Sequence, residues 1–188
     1  TGIISPEMNS IDLEIRIDTF NGKFSNRAIE DGDMVVGYDD YLNRLAQSPD
    51  KLFLADMNDF RGRITMQKVK AFCKEKQLQA LFIDGLTYIH PEFYVRGMPD
   101  AERQGQIAQE LLTLSNELGI PVVCAVNMMD VVKKNGDVIN TSNLAKELGC
   151  EVVEISALKG TGIKKAADKA IEIARSGKEM IPQHSFSG

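Results

Sequence analysis

The chain of 188 residues lacks any apolar run near the roughly 20 residues that span a bilayer. It also lacks a basic-then-apolar leader, and the two absences together give the expectation of a cytoplasmic protein. Excess positive charge is missing as well: 22 Lys and Arg stand against 27 Asp and Glu, for a formal net charge of -5. A strongly electropositive nucleic-acid binder is therefore not expected, and only a local basic groove stays open. The cysteines are few and odd in number. Cys73, Cys124 and Cys150 lack metal-ligand spacing and read as reduced, buried residues that pack as small hydrophobes. There is no internal repeat and no low-complexity stretch. Asn140-Thr141-Ser142 matches a glycosylation sequon, which carries no meaning without secretion.

What is present is ordinary for a globular domain: 43% hydrophobic and 26% charged residues, with length enough for one α/β core. Gly2 to Ser5 reads as a strand, and a strand so near the first residue gives the expectation that further chain preceded it. Helical spacing of Met8, Ile11 and Ile15 predicts a helix from Glu7 to Phe20, stopped by Asn21-Gly22. Asn26 to Asp31 reads as one helical turn and Asp39 to Gln47 as a short helix. Lys51 to Ala55 reads as a strand, and Thr65 to Lys76 as an amphipathic helix with Met66, Val69, Phe72 and Cys73 inward. Ala80 to Asp84 reads as a central parallel strand, apolar on both faces.

After an irregular aromatic stretch from Leu86 to Met98, the longest helix runs to Leu118 with Ile107, Leu111, Leu114 and Leu118 as its stripe, capped by Gly119. Strand Pro121 to Val126, helix Ser142 to Leu148, strand Glu151 to Ile155 and helix Ile163 to Arg175 follow, and the tail from Gly177 through Ile181 to His184 reads as extended. Strands alternating with helices predict an α/β fold of three layers with a mostly parallel sheet.

Two short signals carry chemistry. Asn127-Met128-Met129-Asp130 follows the apolar run Val122 to Val126, and Ser156-Ala157-Leu158-Lys159 follows Val152 to Ile155. A carboxylate just past a strand end can accept from both N1–H and the N2 amine of guanine, a donor pair that adenine lacks. Asp130 is that carboxylate. Asn127 would brace the neighbouring loop and approach the purine edge, Ser156 opens the second loop, the Ala157 N–H would face guanine O6, and Lys159 would pack over the base. A turn with a helix cap is the competing account of either tetrapeptide alone. The pair is more specific, because both lie at strand carboxyl ends separated by one helix.

From about residue 118 to 188 the chain resembles the end of the G domain of the bacterial ferrous iron transport protein B. The resemblance rests on Leu118 to Val123, Asn127 to Val132 with its Asn-Met-Met-Asp variant, Leu148-Gly149-Cys150, Ile155 to Ile163 and Pro182 to Gly188. It implies a P-loop-NTPase-like fold and GTP or GDP as ligand. Such a domain should begin with Gly-x-x-x-x-Gly-Lys-Ser/Thr, whose backbone N–H groups hold phosphates. No such string occurs here; Gly22-Lys23-Phe24-Ser25 is the nearest.

Residues 1–122 instead resemble the RecA-like motor domain of DnaB-type replicative helicases. Ile4-Ser5-Pro6-Glu7-Met8 and Leu81-Phe82-Ile83-Asp84-Gly85 carry this resemblance. It implies Glu7 as a water-activating carboxylate, Asp84 as a magnesium holder, and Arg96 and Arg103 in a DNA-facing region. Surface charge is the competing account of both arginines, a helix-terminal acid that of Glu7, and a loop cap that of Asp84. Tyr88, Phe93 and Tyr94 could stack on bases or pack their loop, and His90 and His184 have no supporting spacing. The two resemblances together suggest a recombined chain: a helicase-like part over 1–122 joined to a G-domain-like part over 123–188 in a single α/β domain. The expected function is weak guanine nucleotide binding without hydrolysis. The alternative is a truncated domain of a real NTPase, of either family, whose phosphate loop lies upstream. A third expectation is an interaction module without catalysis.

Overall fold

The computed structural model describes residues 1–49 and 51–176. The tail expected from Gly177, with its Pro182 to Gly188 segment, lies outside the described residues. The chain divides into two compact units, Thr1–Ile89 and His90–Gly188.

The first unit contains β1 (Gly2–Ser5), α1 (Ser10–Gly22), α2 (Asn26–Glu30), α3 (Tyr38–Gln47), β2 (Phe53–Asp56), β3 (Ile64–Thr65), α4 (Met66–Glu75) and β4 (Leu81–Ile83), and β5 (Ile89–His90) marks its boundary. β1 is the middle strand of a parallel ladder ordered β2-β1-β4. Gly2 lies opposite Phe53 on one side and Leu81 on the other. The bonds Phe53 N–H to Thr1 C=O (3.0 Å) and Gly2 N–H to Ala80 C=O (2.9 Å) extend both ladders. Glycine suits position 2, because a Cβ there would press on the side chains of Leu78 and Phe72. Ile4, Ala55, Ile64, Val69 and Cys73 form the buried core around the sheet. The expectation that β4 is central is corrected: in this ladder it is an end strand, and Phe82 is 60% exposed. β1 takes the middle place because both of its edges are paired.

α4 follows the predicted stripe, with Met66, Val69 and Cys73 buried and Thr65 accepting from the Lys68 N–H at its start. α1 does not follow its predicted pattern. It begins at Ser10 rather than Glu7, because Asn9 caps it by accepting from the Asp12 N–H at 2.9 Å. Ile11, read as inward, is exposed, and the buried residue of this helix is Asp18. Its carboxylate accepts from the hydroxyls of Tyr38 (2.8 Å) and Tyr41 (3.0 Å), and Phe24 stands edge-on to both rings. A buried carboxylate is tolerated where strong donors satisfy it. Burial first, and then the bond to Asp18, push Tyr38 up to about 12 and raise Tyr41 as well.

The second unit contains α5 (Asp100–Leu118), β6 (Val123–Val126), α6 (Met129–Lys134), α7 (Thr141–Leu148), β7 (Glu151–Glu154) and α8 (Ile163–Ser176). α5 ends at Gly119, whose left-handed backbone (φ +68°) lets its N–H bond the Ser115 carbonyl. Ile107, Leu112 and Leu114 are its buried apolar residues, so Leu112 rather than Leu111 occupies the inner face. β6 and β7 run parallel, pairing Val123 with Glu151 through Val126 with Glu154. Both ladders are parallel and interleaved with helices, as the α/β expectation requires. The three cysteines are free; Cys73 is buried but Cys124 and Cys150 are only half-buried, short of the full burial expected. Desolvation, with Cys124 nearby, pushes the Cys150 thiol up to about 11. Among the described residues no helix is long and apolar enough to cross a membrane.

Tyrosine ionisation supplies a test of the α1–α3 cluster. An unfolded tyrosine loses its proton near pH 10, whereas Tyr38 in the fold holds it to about 12. The stabilisation is complete below the unfolded value and is lost as pH rises through the folded value. Equilibrium unfolding followed by circular dichroism is therefore expected to show falling stability between these two values. Tyr38→Phe is expected to flatten that fall.

Candidate functional site

The register of β6 and β7 sets their carboxyl ends level, and the ladder continues one bond further, from the Ile155 N–H to the Val126 carbonyl at 2.9 Å. Asn127 and Ser156 thus leave the sheet side by side. The chain then turns sharply at Met128, which has a left-handed backbone (φ +62°), and α6 begins at once. The Met129 N–H bonds the Ile155 carbonyl at 3.2 Å. Asp130, expected in a loop, therefore sits in the first turn of α6.

The five residues expected here come together. Asn127 Oδ1 accepts from the Met128 N–H (2.7 Å) and from the Ala157 N–H (3.0 Å), and so ties one loop to the other. Ser156, only 3% exposed, donates its hydroxyl to Asp130 Oδ1 at 2.8 Å. Lys159 Nζ stands 3.9 Å from the other carboxylate oxygen. The Ser156 hydroxyl is the largest influence holding Asp130 below the usual carboxylate range; the Lys159 charge and the N–H groups of the first helical turn act in the same direction, against partial desolvation. Two details differ from the expectation. The Ala157 N–H is already bonded to Asn127 rather than open, and Lys159 leans on Asp130 rather than standing clear for a base. Neither follows from residue order, because both depend on which of several nearby acceptors is closest.

Residues outside the two motifs complete the site. Ser156 and Thr161 exchange backbone bonds of 3.0 and 3.1 Å, which fold residues 157–160 into a tight turn. Gly162 has φ +77°, and a Cβ there would collide with the Glu154 carbonyl oxygen, so this position requires glycine. Lys133 of α6 pairs with Glu154 at the end of β7 at 3.4 Å. Together these groups line a cavity of about 360 Å³ bounded by Met129, Asp130, Ser156, Lys159 and Gly162. The Gly160-Thr161-Gly162 string was the available sequence signal for the turn; the Lys133–Glu154 pair had none.

In the first unit, Glu7 and Asp84 reach the same end of the parallel β1–β4 pair, where the Asp84 N–H bonds the Ile4 carbonyl at 3.0 Å. Both residues are exposed. The Tyr88 hydroxyl donates to Glu7, which raises the tyrosine pKa. The most constrained carboxylate at this end is one the sequence reading missed. Asp56, 6% exposed, accepts from the Ser10 N–H at 2.8 Å and the Asn58 N–H at 2.7 Å. The first of these bonds is the largest influence holding it below the ordinary value. Among the described residues no group of three His, Cys, Asp or Glu is placed to hold a metal ion. Arg96 is exposed. Arg103, expected in a DNA-facing region, bonds Asp100 at 3.0 Å with only 14% of its side chain exposed.

The Fe(2+) transporter FeoB of Legionella pneumophila is 51% identical over 47 residues, which cover 25% of this chain and 6% of that protein. The Fe(2+) transporter FeoB of Salmonella typhi is 42% identical over 48 residues, covering 26% of this chain and 6% of that protein. The chain thus spans a small fraction of the curated relatives it matches. Among solved structures, mGMPPNP-bound NFeoB from S. thermophilus is 20% identical, with 93% of this chain and 62% of that chain covered at a TM-score of 0.42. A GDP-bound mutant of the same protein is 25% identical, with 68% and 46% covered and a TM-score of 0.42. The family model described as ferrous iron transport protein B matches residues 100–170. That portion of the chain is FeoB-like: it contains Asn127, Asp130, Ser156, Ala157 and Lys159, and it excludes Glu7 and Asp84.

Proposed function

We propose that the His90–Gly188 unit is the base-recognising part of a FeoB-type nucleotide-binding domain and binds guanine. The observation that carries this reading is Asp130: a carboxylate kept ionised by Ser156 and Lys159, on the wall of a cavity between two strand-end loops. Its oxygens accept the N1–H and N2 amine of guanine. Asn127 holds the Ala157 loop against the first loop and yields that N–H to the guanine O6 when the base enters. Lys159 turns from Asp130 to cover the ring. The GDP and GMPPNP named with the solved S. thermophilus proteins agree with a guanine ligand.

The FeoB-like match favours a part of a longer GTP-binding domain over a recombined chain without function. In the chain as given, phosphate contacts of the usual loop are not encoded, so affinity rests on the base and lies on the millimolar scale, about -4 kcal/mol. Hydrolysis is not expected. The RecA-like reading of residues 1–122 is the competing one: the placement of Glu7 and Asp84 at one end of parallel strands speaks for it, and the FeoB-like match from residue 100 onward speaks against its last stretch. Cytoplasmic placement belongs to the same proposal.

Three outcomes test the guanine site. Guanosine titrated into the protein and followed by amide chemical shifts is expected to perturb residues around Asp130 and Ser156, with adenosine at equal concentration giving little effect. Asp130→Ala is expected to abolish the difference; an Asp130→Ala protein that still discriminates the two would end the reading.

The pH profile gives the second. Because the folded Asp130 pKa is depressed, binding should persist below the ordinary aspartate value of about 4. It should be lost as pH falls through the folded value. Ser156→Ala removes the main cause of the depression and is expected to move that loss to higher pH.

The third concerns the turn. Gly162→Ala drives a methyl group against the Glu154 carbonyl and is expected to weaken guanosine binding about tenfold, as removal of a binding contact does. A Gly162→Ala protein with unchanged affinity would show that the turn does not shape the cavity.

A further inference from the structure

Cys124 and Cys150 belong to one face of the β6–β7 ladder. Cys124 lies opposite Val152, and Cys150 stands two positions before Val152, just ahead of the first residue of β7. Alternate residues of a strand share a face, so the register sets the two thiols on a diagonal across neighbouring strands. Their proximity shows directly at the sulfur: a hydrogen bond from the Cys124 backbone reaches the Cys150 thiol, and the Cys124 charge acts on it as well. Both residues are half-buried rather than sealed in the core. Neither lines the cavity beside Asp130, so the guanine site does not use them.

Geometry decides what two such thiols can do. With strands about 4.8 Å apart and a rise of about 3.3 Å per residue, a two-residue diagonal spans about 8 Å between Cα atoms. A disulfide closes only below about 7 Å. Burial also raises both thiols, which leaves little thiolate to attack an oxidant. Zinc takes four ligands, and here only two sulfurs meet. A soft monovalent ion is satisfied by two sulfurs on opposite sides, at about 2.3 Å each, and so by a sulfur–sulfur separation of roughly 4.6 Å. Cysteine side chains on a diagonal of this length reach that separation by leaning slightly together. We propose that Cys124 and Cys150 form a two-sulfur site for a soft monovalent metal ion of the copper(I) kind. The ion bonds both sulfurs, each thiol releases its proton to solvent, and no electron moves. Glu151, beside Cys150, adds negative charge that favours a cation; the nearby Lys169 of α8 is paired with Glu172 at 3.0 Å.

Oxygen-free titration of the reduced full chain with chelator-buffered copper(I) tests the proposal. One ion per chain is expected, with about two protons released to the solvent on binding. Cys124→Ser and Cys150→Ser are each expected to weaken binding about tenfold or more, whereas Cys73→Ala, in the other unit, is expected to change it less than about twofold. Binding that survives either serine variant undiminished would overturn the site. The unaltered chain gives a readout that no folding defect can blur. Copper(I) is expected to protect Cys124 and Cys150 together from alkylation, read by peptide mass. Protection of one without the other would overturn the pairing. A Cys124–Cys150 disulfide that forms readily in a glutathione disulfide buffer would overturn the spacing on which the site stands.

Discussion

Asn127 Oδ1 accepts two backbone hydrogen bonds, and the second reaches across 30 positions to Ala157. The parallel pairing of β6 and β7 sets the two strand ends level, but pairing alone would let the loops beyond them splay. With one oxygen shared between Met128 and Ala157, both loops have a fixed origin. Ser156 can then reach Asp130, and Lys159 can follow. The Ser156–Thr161 backbone bonds and the Lys133–Glu154 pair then complete the surroundings of the cavity. A side chain with two lone pairs on a short stem is needed, because a longer amide would overshoot the first of these bonds.

The two compact units use carboxylates in opposite ways. In Thr1–Ile89 the buried acids serve the fold: Asp56 receives backbone donors where β2 ends, and Asp18 receives two tyrosines. In the second unit Asp130 has one oxygen bonded to a hydroxyl and the other facing a lysine at the long distance of 3.9 Å. A carboxylate tied by short bonds to backbone has little left to offer. One held by a hydroxyl and a loosely placed lysine retains accepting capacity.

The parts of the structure legible in the sequence are those with strong periodicity or fixed spacing. The α4 stripe, the Gly119 cap, the two strands before Asn127 and Ser156, and the meeting of those motifs follow from local pattern. The α1 pattern misled, because its apolar spacing competes with an Asn9 cap and a buried Asp18 that only tertiary contacts with Tyr38 and Tyr41 can satisfy. The place of β4 was misread because apolar residues on both faces do not distinguish a middle strand from an end strand. At the site, residue types were legible but partners were not. Whether the Ala157 N–H meets a ligand or Asn127, and whether Lys133 finds Glu154, depends on distances of a few tenths of an ångström.

Met128 holds a backbone conformation that residues with a Cβ adopt reluctantly, at a cost on the order of 1 kcal/mol. Glycine would adopt it freely, yet glycine would also leave the turn free to swing between many shapes in the absence of neighbours. The bonds from the Met128 N–H to Asn127 and from the Met129 N–H to the Ile155 carbonyl offset that cost and hold the turn, so the direction in which Asp130 leaves the sheet is set by the strand ends beneath it.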